Sequence, residues 1–214
     1  SIKPNYIKAY INLGTVLNKM GRIEEAVNIF YKALKINPKS FESYFNLGNI
    51  YFGQENYKDA TSSYNKAIII KPDYVEAFTN LAYSLNKLGN HKKAISYYKK
   101  AIKINPAYAD AHYFLGIALL LLSNFNIGFN KYEWRKKSPP LKKFYDIPNL
   151  KTKEWDKEDI ANKSILIISE QGLGDTIQFF RYADILQKKY KANIIFRTKK
   201  KLKHLFVKSN FKII

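Results

Sequence analysis

Residues 41–74 read FESYFNLGNIYFGQENYKDATSSYNKAIIIKPDY, and residues 75–108 read VEAFTNLAYSLNKLGNHKKAISYYKKAIKINPAY. Laid over one another, the two stretches keep one frame. An aromatic stands at Tyr44 and Phe78, a leucine at Leu47 and Leu81, and a small residue at Gly48 and Ala82. Ala60 and Ala94, Tyr64 and Tyr98, and Pro72 and Pro106 continue in the same register. Backward, the frame gives Tyr10, Leu13, Gly14, Ala26, Phe30 and Pro38. Forward, it gives His112, Leu115, Gly116, Gly128, Tyr132 and Pro140. Five of the seven prolines, at 4, 38, 72, 106 and 140, stand 34 residues apart. A repeat of that length governs the fold before any other feature does.

Within each unit, apolar residues fall at three- and four-residue spacing on two segments, which predicts two short helices with inward faces. The small residues Gly14, Gly48, Ala82 and Gly116 let the two helices approach, and the aromatics fill the space between units. Each proline disfavours helix at the residue before it and so ends the second helix. No unit buries its apolar face alone; stacking makes the core continuous. These positions, agreeing in four consecutive units, resemble the tetratricopeptide (TPR) family over residues 1–140, with units near 7–40, 41–74, 75–108 and 109–140. Ile2-Lys3-Pro4 copies Ile70-Lys71-Pro72, so the chain is expected to open at the tail of a preceding unit. In the fourth unit Arg135 replaces Ala33, Ala67 and Ala101. A guanidinium does not suit a buried seam. The stack is therefore expected to end there, with Tyr132-Glu133-Trp134-Arg135 docking on the segment C-terminal to it.

A stacked array presents an extended groove lined by the first helix of each unit. Asn12, Asn46 and Asn80 occupy one position in that helix, and Phe114 takes it in the fourth unit. Primary amides donate to and accept from a peptide backbone whatever its side chains. The column resembles the asparagine ladder of O-GlcNAc transferase repeats, which implies a protein or peptide partner held in the groove. The alternative is a set of exposed polar residues in an asparagine-rich chain. His91 and His112 take packing positions without second ligands nearby, so no metal site is expected.

Composition narrows the classes further. Hydrophobic residues at 46% and charged residues at 25% describe a core-forming chain rather than a disordered one. The absence of cysteine removes disulfides, thiolate zinc sites and cysteine nucleophiles. The longest apolar run, Ile117 to Leu122, is far short of the roughly 20 residues of a membrane span. With no apolar signal region after Ser1, a cytoplasmic location is expected. The net charge of +20 invites a nucleic-acid reading, but only Arg22, Arg135, Arg181 and Arg197 are arginine. Lysine lacks the fork geometry of the usual base reader. The excess is also even: residues 1–140 hold 20 basic and 9 acidic residues, and residues 141–214 hold 17 and 8. Nucleic acid is not an expected partner, since its footprint is a clustered face.

After Pro140 the period changes. Residues 141–162 read as a linker or packing extension, with Trp155 as its anchor. Ile165-Leu166-Ile167-Ile168 suits a strand buried on both faces of a parallel sheet. Gln171-Gly172-Leu173-Gly174-Asp175-Thr176 reads as a tight turn, with a helix from Ile177 to about Tyr190. A second strand at Ile194-Ile195-Phe196, a basic helix from Leu202, and a third strand opening at Phe211 complete the pattern. Residues 163–214 thus read as an incomplete Rossmann-like α/β unit after an α-helical TPR solenoid. The turn is neither a dinucleotide fingerprint, since Ile177 stands where the third glycine belongs, nor a phosphate-binding P-loop.

From Ser169 to Tyr182, and at Tyr132-Glu133-Trp134-Arg135, the sequence resembles the glycosyltransferase-like domain fused to bacterial TPR arrays. That domain is related to the heptosyltransferases of the GT-B fold. The resemblance is most specific at Gln171-Gly172-Leu173-Gly174-Asp175. It implies a bacterial parent protein that transfers a sugar from a nucleotide-sugar donor. Asp175 would be its general base, and Gln171, Gly172, Gly174, Thr176 and Arg181 its substrate loop. Asp175-x-x-Gln178 also has capping-box spacing, so the carboxylate is either a helix cap or a catalytic group. By the resemblance, the donor sits in a second domain. Domains run to about 100–150 residues, and 74 remain after Pro140. The chain alone is therefore expected to lack the donor site, to hold no cofactor and to be inactive. Two function classes stand: a TPR interaction module attached to a truncated transferase, or a non-enzymatic TPR scaffold binding extended peptides.

Overall fold

In the computed structural model of the chain, the described residues are 6–139, 155, 158–169, 173–198, 200–206, 209 and 211–213. They fall into two compact units, residues 1–142 and 143–214, each taken by itself.

Gly48 and Gly116 explain how the first unit packs. A Cβ on Gly48 would lie 2.6 Å from the Tyr64 ring, and one on Gly116 would lie 2.5 Å from the Tyr132 backbone nitrogen. Bare backbone at these positions brings the two helices of a unit together. The pairs are α1 (Ile7–Lys19) with α2 (Ile23–Ile36), α3 (Phe41–Gly53) with α4 (Tyr57–Ile70), α5 (Val75–Lys87) with α6 (His91–Ile104), and α7 (Ala109–Leu121) with α8 (Phe125–Tyr132). Each second helix also packs on the first helix of the next unit. The resulting seam is fully closed at Ala26, Ala33, Ala60, Ala67, Ala94 and Ala101, with Phe30, Tyr64 and Tyr98 filling it.

Two kinds of turn punctuate the array. Between units, α2, α4 and α6 stop two residues before Pro38, Pro72 and Pro106, and Asn37, Lys71 and Asn105 succeed their last turns. Within units, four equivalent residues take left-handed backbone: Gly21, Glu55, Gly89 and Ser123. The next amides, from Arg22, Asn56, Asn90 and Asn124, donate back to Leu17, Tyr51, Leu85 and Leu119 at 2.9 Å. This is the glycine-type helix stop in each unit.

The fourth unit ends differently from the sequence expectation. Helix α8 is short, and a 3-10 helix, Glu133–Lys136, succeeds it. Arg135 is buried at 8% exposure instead of being excluded from the seam. Its guanidinium is paired with Glu133 and lies 4.7 Å from the Tyr132 ring centroid. Those contacts offset the desolvation that argued against burial. Trp134 stacks on His112 of α7 at 3.9 Å; the segment C-terminal to it, on which the tetrapeptide is expected to dock, lies mostly outside the described residues.

The second unit holds a three-stranded parallel sheet in the order β1 (Ser164–Ile168), β2 (Asn193–Arg197), β3 (Lys212–Ile213). Helix α9 (Leu173–Tyr190) connects β1 to β2. Ile160, Ala183, Ala192, Ile194 and Phe211 form one core cluster, and Phe196, Leu202 and Phe206 form another. Phe180 joins the two, stacking on Phe206 at 4.1 Å. β1 is half-buried rather than covered on both faces, and among the described residues it pairs with β2 alone. Where a basic helix is expected from Leu202 to about Lys208, the described residues hold a 3-10 turn, Lys200–Leu202, and an α-helical stretch, Lys203–Phe206. Trp155, expected as the anchor of residues 141–162, is 52% exposed, and its indole N–H donates to the Glu158 carbonyl.

Candidate functional site

Helices α1, α3, α5 and α7 lie side by side, each touching the next, and form one continuous face of the array. The asparagine column sits on these helices. Asn12 is exposed, and Asn46 and Asn80 are half-buried. Asn46 Nδ2 donates to the Glu42 carbonyl one turn back, at 2.9 Å. Asn80 Nδ2 reaches from α5 to α3 and donates to Asn49 Oδ1 at 3.1 Å. Tyr64 Oη donates to the same oxygen at 2.8 Å. Sequence reading misses Asn49 because no other unit has asparagine there; the equivalents are Thr15, Tyr83 and Ile117.

One repeat further on, the same three positions are Tyr98, Tyr83 and Phe114. Here the polar triangle becomes an aromatic one: Tyr83 stacks on Phe114 at 4.6 Å, and Tyr98 lies parallel to Phe114 at 6.3 Å. Tyr98 Oη is buried without a hydrogen-bond partner, and burial pushes its phenol far above the usual tyrosine range. Rings then continue along the face. Phe52 meets Tyr83 at 5.1 Å, Phe114 meets Tyr113 at 5.0 Å, and Tyr113 meets Tyr132 at 5.3 Å. At the fourth unit this row opens onto a cavity of about 530 Å³ lined by Tyr113, Ile117, Leu120, Leu121, Phe129 and Tyr132. The face therefore changes from amide-lined to apolar along its length.

His112 is buried beneath Trp134. Its Nε2 is 2.9 Å from the Pro106 carbonyl, and Lys131 Nζ is 3.3 Å from Nδ1. Burial, reinforced by Lys131 and Lys137, holds its pKa below the ordinary histidine value. A neutral imidazole donating from Nε2 and accepting at Nδ1 fits both contacts. His91 Nδ1 pairs with Asn86 Oδ1 at 2.5 Å. Among the described residues, no cluster of three potential ligands could hold a metal, and no helix is long and apolar enough to cross a membrane.

In the second unit, Gln171 and Gly172 lie outside the described residues. Gly174, Asp175 and Thr176 belong to the first turn of α9, which starts four residues before the expected Ile177. Thr176 is buried. Arg181 is exposed, its guanidinium 5.2 Å from the Tyr182 ring centroid.

The tetratricopeptide repeat is matched over residues 5–73 and again over 75–108. The chain carries tetratricopeptide repeats, as the helix pairs and their seams require. Solved structures agree on the fold. MamA is 24% identical with a TM-score of 0.57, over 62% of this chain and 77% of that one. YrrB, described as a TPR protein with an unusual peptide-binding site, is 25% identical with a TM-score of 0.54, over 61% of this chain and 68% of that one. No curated protein matches the chain.

Proposed function

We propose that the array is a protein-interaction module that holds an extended polypeptide along the face of α1, α3, α5 and α7, with Asn12, Asn46 and Asn80 bridging its backbone. The observation that carries this reading is the amide column itself. Three carboxamides recur at one register on touching helices. Among the described residues none of the three Oδ1 atoms accepts a hydrogen bond. An extended backbone offers alternating N–H and C=O groups, which such amides can meet regardless of side chains. The peptide-binding description of YrrB supports a partner of this class. The test is fluorescence anisotropy with labelled extended peptides of Gly, Ser and Asp. Replacing all three asparagines by alanine removes hydrogen bonds worth about 1 kcal/mol each, so affinity is expected to fall more than tenfold. An unchanged Kd would remove the column from the site.

For the second unit, we infer the opening of a glycosyltransferase-like domain in a bacterial parent protein. Parallel strands joined by a helix support it, since open α/β sheets bind ligands beyond the carboxyl ends of their strands. Asp175, in the first turn of α9 after β1, would take the proton of the acceptor hydroxyl. A longer polypeptide that continues past Ile214 provides the assay. Transfer from a nucleotide sugar is expected there and not with residues 1–214 alone. Asp175→Asn should abolish it without lowering Tm; retained transfer would exclude the base role.

A further inference from the structure

The amides of the column are held in different ways. Asn46 Nδ2 donates to the Glu42 carbonyl, a group that only accepts, so its orientation is set within its own helix. Asn80 is held across the array, from α5 to the Asn49 oxygen on α3. We propose that Asn49 and Tyr64 are positioning residues that fix the Asn80 carboxamide with its oxygen presented, so that this point of the face takes a backbone N–H of the bound polypeptide rather than a carbonyl. This inference rests on the reading of the face as a peptide groove and names which half of the peptide bond the groove selects there.

The relay begins at Tyr64. The residue is 1% exposed, and its hydroxyl has one proton, which goes to Asn49 Oδ1 at 2.8 Å. That oxygen is the proton's one acceptor among the described residues. With Asn49 turned over, its nitrogen would face the phenol, and a buried O–H would be left without an acceptor, which is costly. Asn49 is therefore fixed with its oxygen inward. The second lone pair of that oxygen receives Asn80 Nδ2 at 3.1 Å. A nitrogen alone can donate there, so the orientation of Asn80 follows from that of Asn49. Burial raises the Tyr64 pKa, and the Asn80 amide opposes that rise, as a donor to the phenol oxygen does. With Nδ2 engaged, Asn80 Oδ1 accepts no hydrogen bond among the described residues. Asn80 is half-buried, so ligand can reach it.

Among the described residues the relay stands at one junction. One repeat earlier its positions hold Phe30, Thr15 and Asn46, and Thr15 Oγ1 donates to the Ile11 carbonyl at 2.8 Å. One repeat later they hold Tyr98, Tyr83 and Phe114, and the Tyr98 hydroxyl has no partner. Packing at this register is thus met without the polar set, which stands where a column amide has no carbonyl of its own helix to orient it. A proline at the residue over Asn80 has no N–H to give and is excluded.

Anisotropy with the full chain tests the proposal, using one short Gly/Ser/Asp peptide and analogues in which each backbone amide in turn is an ester. The ester removes the N–H and keeps the carbonyl. At the position coupled to Asn80 in a double-mutant cycle with Asn80→Ala, the ester is expected to weaken binding about fivefold, the worth of one hydrogen bond. Asn49→Ile frees Asn80 to turn its nitrogen to the ester carbonyl, so the loss should shrink to less than about twofold. Isoleucine already stands at this register as Ile117. Asn49→Asp keeps an accepting oxygen for both donors and should restore the loss. Tyr64→Phe removes the group that orients Asn49 and should shrink the loss as well. A structural role alone would weaken amide and ester peptides together and leave their ratio as it was. A ratio unchanged in Asn49→Ile and Tyr64→Phe, or left lowered by Asn49→Asp, therefore overturns the positioning role. If no ester couples to Asn80 while binding still depends on Asn12, Asn46 and Asn80, the proposal fails and the groove reading stands. No binding of the all-amide peptide overturns both.

Discussion

At the turn inside each unit, one residue must take left-handed backbone for the amide after it to close the helix. Gly21 and Gly89 do so at φ of 77° and 76°, and Glu55 and Ser123 at 59° and 58°. A side chain in that region costs about 1–2 kcal/mol, which glycine avoids. Its greater freedom in the unfolded chain takes back part of the gain. Glu55→Gly is therefore expected to stabilise the array by about 1 kcal/mol, and Ser123→Gly similarly. Urea denaturation checks this, and the reverse change, Gly89→Ala, should destabilise. Two tyrosines at one register make a sharper pair. Tyr64 donates to Asn49, while Tyr98 has a buried hydroxyl with no acceptor. Removing a satisfied hydroxyl loses about 1 kcal/mol, whereas removing an orphan relieves its desolvation. Tyr64→Phe should lower Tm and Tyr98→Phe should raise it. Equal effects of one sign would mean that the hydroxyls are not what differs.

Elements reveal which features travel with the period and which do not. The helix pairs are legible because their small, aromatic and proline positions answer a local geometric demand that is the same in each unit. The burial of Arg135 is not legible, because its register alone argues against it and its partners Glu133 and Tyr132 are brought round by the 3-10 turn. Nor can the cavity be read from the chain. Tyr132 sits at a repeat position, whereas Tyr113 stands where the earlier units have Ile11, Phe45 and Thr79, and among the described residues the two line a cavity between α7 and α8. In the second unit, helix α9 starts earlier than read because glycine at 174 weakens the helical signal without preventing a helix. Charge also changes along the second helices. Glu24 and Glu25 in the first turn of α2 become Lys58 and Asp59 in α4, then Lys92 and Lys93 in α6. Amide dipoles at a helix start favour anions, so the two lysines of α6 oppose their own helix. Lys92→Glu and Lys93→Glu are each expected to add about 0.5 kcal/mol at low salt, less at high salt. At α7, His112 supplies a titration signal. Its folded pKa lies below the unfolded one, so its contribution is complete above about 6.5 and is lost as pH falls below that. His112 faces Lys131 and Lys137 under Trp134, with Asp110 two residues away. His112→Phe should keep the stacking but flatten the loss of stability between pH 7 and 5; an unaltered slope would point to other groups.

For the whole molecule, the net charge of +20 acts in opposite directions on stability and on binding. Both halves are basic, and among the described residues lysine outnumbers the carboxylates that could neutralise it. Self-repulsion of this kind destabilises the compact state. At 0.01 M salt the screening length is about 30 Å, comparable with a small domain, and at 0.15 M it is about 8 Å. Tm is therefore expected to rise as sodium chloride is raised across that range, because long-range repulsion is screened before close pairs such as Arg22 with Glu25. Acidic peptides bound along the face of α1, α3, α5 and α7 should respond in the opposite sense, binding more weakly as the same screening removes their attraction to the array. Measuring both on one sample separates the two uses of charge. If Tm falls with salt, close attractive pairs outweigh the repulsion. If peptide affinity is insensitive to salt, the excess is a background of the composition, and selection by the face rests on its amides and rings alone.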